Sequence, residues 1–305
     1  MVRLMPGRPR AADYGLLATL ALLWGSSYLF TDLALDGFTA VQVTAGRIVV
    51  GALALLAYGA VHQRRADPRP QASVGDLQAS VGDLVMLLLA GLTGAVLPFA
   101  LLAWAQEAVT SSMTAILIAT VPLWTMALAR LMARDEPVDA GRLAGALLGL
   151  VGVAVLMGGA GVDAPPTPRA LAVLGAALCY ALTGLILRRV DHLPAPVSAA
   201  GLQVFAALAI LPVGAVDLWR QGAVGGTLAV TSIAVLGLFA SGLAPIVMVR
   251  LLNRTGATFV SFNNLLVPVV GTLLGIALLG ETVGPRQAVG LGLVLLSVAA
   301  TRRGA

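Results

Sequence analysis

Long apolar runs with little polar interruption fill this chain. Ten can be marked, over 14–35, 39–61, 84–106, 112–132, 140–160, 168–188, 196–217, 228–250, 257–279 and 284–301. A bilayer-spanning helix needs about 20 mostly apolar residues, so each run predicts one span. Proline and glycine inside several runs do not argue against this, because membrane helices tolerate both. The connections are short. Only 62–83 is long, and it carries the tandem heptads "ASVGDLQ" and "ASVGDLV", a slipped duplication in a tolerant loop. The predicted class is an all-α membrane protein of ten transmembrane helices.

Composition agrees with the pattern. The chain has 305 residues, 59% hydrophobic and 11% charged, with a mean hydropathy of +0.95. A soluble domain carries about 25% charged residues, so this chain could not cover a water-facing surface. The pI near 10.3 does not indicate a nucleic-acid partner, because the arginines are scattered through short loops. Cys179 is the lone cysteine, so no disulfide or cysteine metal site forms within the chain. His62 and His192 stand in separate polar loops, so no metal site and no cofactor are expected. The basic N-terminus resembles a signal peptide, but the run after it exceeds a signal core and more spans follow. It reads as a retained first helix.

Arginine placement predicts orientation. With a cytoplasmic N-terminus, 15 arginines fall inside: Arg3, Arg8, Arg10, Arg64, Arg65, Arg69, Arg130, Arg134, Arg142, Arg188, Arg189, Arg250, Arg254, Arg302 and Arg303. Three fall outside, Arg169, Arg220 and Arg286, and Arg47 lies within the second span. Both termini are therefore expected in the cytoplasm of a bacterial inner membrane protein.

The chain also repeats itself. Pro98 precedes Pro122 by 24 residues, and Pro122 precedes Glu136 by 14; Pro245, Pro268 and Glu281 follow at 23 and 13. "EPVDAGRLAG" and "ETVGPRQAVG" then share one register. An offset of 156 pairs Trp24 with Tyr180, Ser27 with Thr183 and Arg47 with Gln203. Residues 14–160 and 168–301 thus read as two copies of a five-helix unit. Five is odd, so the second copy is inverted, an arrangement common in secondary transporters that hold substrate between the halves.

"LLWGSSYLF", "AGRIVVGAL" and "LLGETVGPRQAVGLGLVL" resemble the EamA-type family of the drug/metabolite transporter superfamily, over nearly the whole chain. "ARDEPVDAGRLAG" fits less closely, since Asp135 replaces a small residue before Glu136. The resemblance implies a central cavity lined by spans 1, 3, 4, 6, 8 and 9. It also implies metabolite export, with YddG-type aromatic amino acid exporters among the candidates.

Individual residues carry two readings each. Glu136 and Glu281 precede the fifth and tenth spans, where a carboxylate suits a helix N-terminus, as a cap or else as a gate. Pro122 and Pro268 sit near mid-helix and bend their helices around a cavity or only for packing. Asn263 and Asn264 point about 100° apart; Asn264 shares a face with Pro268 and is the one expected on the pathway. Trp24, Ser27, Tyr28 and Thr31 share one helix face. Trp24, Trp124 and Tyr180 lie too deep for an interfacial belt, whereas Trp104, Trp219, Tyr14 and Tyr58 lie near span ends and suit one. With Ser27, Thr183 and Asn264 beside them, the deep aromatics suit a flat amphipathic solute; the alternative is helix packing. Arg47 is the mid-helix charge, and Asp32, Asp36 or Glu107 could pair with it structurally or in gating, or it could meet a substrate carboxylate. Gly141, Gly145, Gly149 and Gly152 form a small-residue stripe, suited to internal packing before a dimer interface.

No carboxylate lies at mid-span, which favours downhill export over tight proton coupling. Amino acids are the first expected substrates. A nucleotide-sugar or sugar-phosphate carrier would need more cavity cations than Arg47. An intramembrane enzyme would need clustered acids, histidines or a nucleophile-base pair, and no catalytic residue is visible. A non-transporting sensor would need an appended domain. The expected partners are a small-molecule substrate and the bilayer, with the chain a monomer or weak homodimer.

Overall fold

In hydrocarbon a helix satisfies its own backbone, and every described regular element of this chain is helical. The computed structural model describes residues 9–65, 80–106, 109, 111–132, 138–158, 168–222, 225–279 and 284–300. In chain order α1 (Ala11–Gly25) and α2 (Ser27–Leu35) form one rod interrupted at Ser26, followed by α3 (Ala40–Arg65). Next come α4 (Val81–Gly91), a π-helical turn (Leu92–Val96) and α5 (Leu97–Gln106). After these, α6 (Ser111–Ile118) and α7 (Val121–Met132) flank a break at Ala119 and Thr120, and α8 (Ala140–Leu156) follows. The remainder is α9 (Pro168–Leu187), α10 (Ala195–Gln221), α11 (Thr227–Val235), a second π segment (Leu236–Leu243), α12 (Ala244–Thr255), α13 (Ala257–Ser261), α14 (Asn263–Leu279) and α15 (Pro285–Ala300).

Among the described residues eight rods are long and apolar enough to cross a membrane, from 18 to 29 residues. The described parts of α8 and α15 are 17 and 16 residues, roughly 24–26 Å at the helical rise. Leucine and valine lie bare along the rods, including Leu53, Leu147, Leu208 and Leu296. Such a surface suits lipid and not water.

The helix ends have local causes. Ser80 accepts from the Asp83 backbone N–H, and the Asp83 carboxylate accepts from the Ser80 backbone, a reciprocal cap that starts α4 three residues before the apolar run. Asp139 caps α8 through the Arg142 N–H. Pro98 and Pro245 each stand two residues after the end of a π segment. A proline ring rejects the carbonyl four residues back, and a widened turn relieves that clash. Pro122 does not bend a continuous helix: the helix stops at Ile118 and restarts at Val121, leaving Pro122 in the first turn, where its missing N–H costs nothing. Pro268 lies inside α14, whose interruption comes earlier, at Phe262.

The chain divides into two compact units, one of residues 1–28, 97–185 and 251–305, the other of 29–96 and 186–250. In the first unit α8 and α15 pack antiparallel. A Cβ at Gly149 would meet Ser297 Oγ at 2.7 Å, one at Gly152 would meet Val294 at 2.9 Å, and one at Gly290 would meet Leu156 N at 2.6 Å. The glycine stripe of α8 is thus consumed inside the unit. In the same unit α1 runs parallel to α13 and α14: Tyr14 meets Phe259, and eleven residues further along both helices Gly25 meets Val270. The α9 face of Val173, Ala176, Ala177 and Ala181 packs with Ala105, Ile118 and Val121.

In the second unit α3 and α10 pack antiparallel, with Ala45 against Gly214 and Gly51 against Gln203. There α3 also runs parallel to the segment from α11 into the π turn, with Gly46 on Ile233 and Val50 on Gly237. Likewise α10 runs parallel to α4, with Gly201 on Leu87 and Leu202 on Gly91.

Candidate functional site

The second unit holds a buried polar cluster around Arg47. Arg47 is 9% exposed, and its Nε donates to Ser241 Oγ across 3.2 Å. Ser241 lies in the second π segment, four residues before Pro245. Gln203, 3% exposed, is directly beside it: a Cβ at Gly51 would lie 2.7 Å from Ser241 Cβ and 3.0 Å from Gln203 Nε2. Gly51 therefore leaves room for Ser241 and Gln203, which a side chain at that position would crowd. Of the carboxylates expected to pair with Arg47, Asp36 is exposed; Glu107 and the side chain of Asp32 lie outside the described residues.

At one edge of the same unit Thr39 donates to Asp217, and Gln42 Nε2 donates to the Gly222 carbonyl at 3.0 Å. Elsewhere in the unit His192 lies 3.4 Å from Asp83. His62 falls on α3 and not in a loop. Among the described residues no cluster of three metal-ligating side chains occurs.

The first unit carries the deep aromatics. Trp24 and Tyr180 are half-buried, and Trp124 is 36% exposed. Tyr180 packs on the cluster formed by α9, Ile118 and Val121. The polar residues named with them donate to carbonyls three or four residues back: Ser27 Oγ to Trp24 O at 2.6 Å, Thr183 Oγ1 to Cys179 O at 2.9 Å, Asn264 Nδ2 to Ser261 O at 3.1 Å. Such short-range bonds serve a polar side chain without a partner from another element. Glu136 and Glu281 lie outside the described residues, as does the side chain of Tyr28.

Where α1 begins, the first unit has contacts that hydropathy does not reveal. Asp13 is 2% exposed, with Arg254 Nε 3.0 Å from its Oδ1. Its other oxygen accepts from the Arg10 N–H at 2.8 Å. Tyr14 sets its ring edge-on to buried Phe259 at 5.1 Å. Trp104, expected at an interface, has the Arg169 guanidinium 4.9 Å above its ring. Asn263 is fully buried, and neither its amide N nor its amide O has a hydrogen-bond partner. The only sequence signals for these were an acid three residues into the first helix and the Asn pair itself.

Two stretches, residues 13–158 and 167–303, match the model of the EamA-like transporter family. The chain belongs to that family and is a membrane transporter in class, not an enzyme. It is similar to the Escherichia coli (strain K12) protein "Uncharacterized inner membrane transporter YedA", 25% identical over 294 residues, covering 93% of this chain and 89% of that protein. The counterpart in Escherichia coli O157:H7 matches equally. A crystal structure of a protein superposes with a TM-score of 0.76 at 19% identity, covering 96% of this chain and 99% of the other, a likeness of fold alone.

Proposed function

We propose that the chain exports small metabolites, amino acids including aromatic ones first, across a bacterial inner membrane by alternating access. The observation that carries this reading is the twofold family match, over 13–158 and 167–303. It accords with a body of ten transmembrane helices in two inverted five-helix repeats, with α8 and α15 counted as the fifth and tenth. Mirrored features support the inversion: a π segment before Pro98 and before Pro245, and the antiparallel pairs α3–α10 and α8–α15. The arginine split supports a cytoplasmic position for both termini in this reading.

The solute pathway in this reading runs past Trp24, Ser27, Tyr28, Trp124, Tyr180, Thr183 and Asn264. Aromatic walls with a few polar fixing points match the usual build of a small-molecule site, here for a YddG-type aromatic substrate. Arg47, Pro122, Pro268, Glu136 and Glu281 shape or gate it. The protein works as a monomer or weak homodimer and needs no cofactor. The test is a flux screen in proteoliposomes, with amino acids against sugars and nucleotides. Uptake of phenylalanine or tryptophan above protein-free vesicles supports the reading. Flux of sugar nucleotides with none of any amino acid removes it.

A further inference from the structure

We propose that residues Gly256 to Phe262 are a hinged plug in the first unit, clasped shut by Asp13 and Arg254, and that Asn263 behind it contacts the solute when the plug moves. The solute part rests on the transport reading; the motion of the plug does not.

Helix α13 has five residues and no exposed face. Ala257, Thr258, Phe259, Val260 and Ser261 are 2%, 0%, 1%, 8% and 6% exposed. A helix this short, enclosed on all sides, fills an interior and shields nothing from lipid. Both of its ends are jointed. Gly256 has φ 87°, a left-handed conformation that glycine adopts without strain. At Phe262 the pattern tightens: Phe262 N–H donates to Phe259 O at 3.2 Å and Leu265 N–H to Phe262 O at 3.0 Å. A few residues at element ends are where hinge motions are absorbed.

The seam between α1 and this stretch is fastened unequally. At Gly25 a Cβ would lie 2.6 Å from Val270 Cβ, so backbone and side chain interlock there. At the other end Tyr14 sets its ring edge on Phe259, and the ion pair of Asp13 has an arginine that is 47% exposed. Water reaches Arg254 and competes for it, so this end releases first. The α1 rod breaks at Ser26, next to the interlocked end, which supplies the pivot.

Asn263 follows directly behind the joint. It is fully enclosed, and both its Nδ2 and its Oδ1 lack a hydrogen-bond partner. A buried amide without partners is disfavoured, and native interiors seldom leave one unpaired. A partner that both donates and accepts would satisfy it, since a carboxamide offers two N–H and a carbonyl. A zwitterionic or amide-bearing solute fits, and a hydrocarbon-like one does not.

The tests use the full chain with Cys179→Ala. In Gly184→Cys/Ala257→Cys the two Cβ atoms start near 3.3 Å, close to the roughly 3.5–4.5 Å that a disulfide spans. Oxidation should cut phenylalanine or tryptophan flux by about tenfold or more, with reductant restoring it. Parent flux from fully cross-linked protein overturns the plug. A second arm needs no substrate. The Asn263→Cys thiol should react with a small membrane-permeant methanethiosulfonate about tenfold faster once Arg254→Gln opens the clasp. Asp13→Asn repeats the measurement from the other partner. Equal labelling with and without both clasp variants overturns the proposal, whichever solute the protein carries.

Discussion

Arg47 on α3 and Ser241 in the second π segment are joined by a 3.2 Å hydrogen bond at a buried position. The pair links a membrane-embedded charge to a turn of widened helix. Ser241 is also the residue whose carbonyl the Pro245 ring would otherwise crowd, so strain relief and charge solvation fall on the same turn.

Ser241→Ala should remove one donor–acceptor link and cost about 1–3 kcal/mol, because the Arg47 Nε–H loses a buried acceptor. Arg47→Ala should be more damaging, and Arg47→Lys should rescue poorly, since a single ammonium cannot reproduce the planar fork. Thermal unfolding in detergent together with proteoliposome flux reads both effects. Unchanged melting and flux in Arg47→Ala would mean the charge is incidental.

The α8–α15 seam makes a stability prediction with an internal control. Gly149→Val and Gly152→Val force side chains onto Ser297 and Val294 and should lower stability by about 1–3 kcal/mol. Gly59 has no atom within 4 Å of an added Cβ. It also lies in helix α3, so Gly59→Ala should be neutral or stabilise by up to about 1 kcal/mol. The difference in melting temperature between the two classes is the measurement. A seam variant that melts with the parent would show that these helices are not packed this closely.

Trp24→Ala and Trp124→Ala should reduce flux of phenylalanine or tryptophan by about tenfold, the equivalent of about 1.4 kcal/mol of lost contact, with abundance unchanged. Smaller amino acids should be affected less. If every substrate moves at the parent rate in both variants, the two indoles serve packing.

Reporter fusions at residue 75, in the long polar loop, and at residue 305 should both read as cytoplasmic, following the arginine split. A periplasmic signal at either position contradicts two inverted five-helix halves.

The described helices were legible because apolar length alone predicts them in a bilayer, whereas their ends follow local causes that hydropathy does not carry. The run from 84 starts at Val81 because the Ser80–Asp83 cap lies outside any hydropathy window. The site was legible in part. The offset of 156 picked out Arg47 and Gln203, and both are buried: Arg47 bonds to Ser241, and Ser241 and Gln203 both border Gly51. Asn263 was passed over for Asn264, because Asn264 shares a face with Pro268, and within α14 it does. That Asn263 is fully enclosed and without a hydrogen-bond partner is a tertiary fact with no local signal. Asp13 and Arg254 lie 241 residues apart in sequence, and only tertiary contact could pair them.

The π segments also set how this chain tolerates insertion and deletion. A π turn closes on the fifth residue instead of the fourth, so it lodges one residue more than an α-turn. The extra residue is absorbed within the widened turn, so the helix beyond it keeps its phase instead of advancing by the roughly 100° that an added residue brings to a regular α-helix. Losing one residue from 236–243 would therefore let a turn close as α while leaving the side chains of 244–255 on their present faces. In the 62–83 loop a whole heptad has been duplicated; within these eight residues, a single codon is the step the rod can absorb.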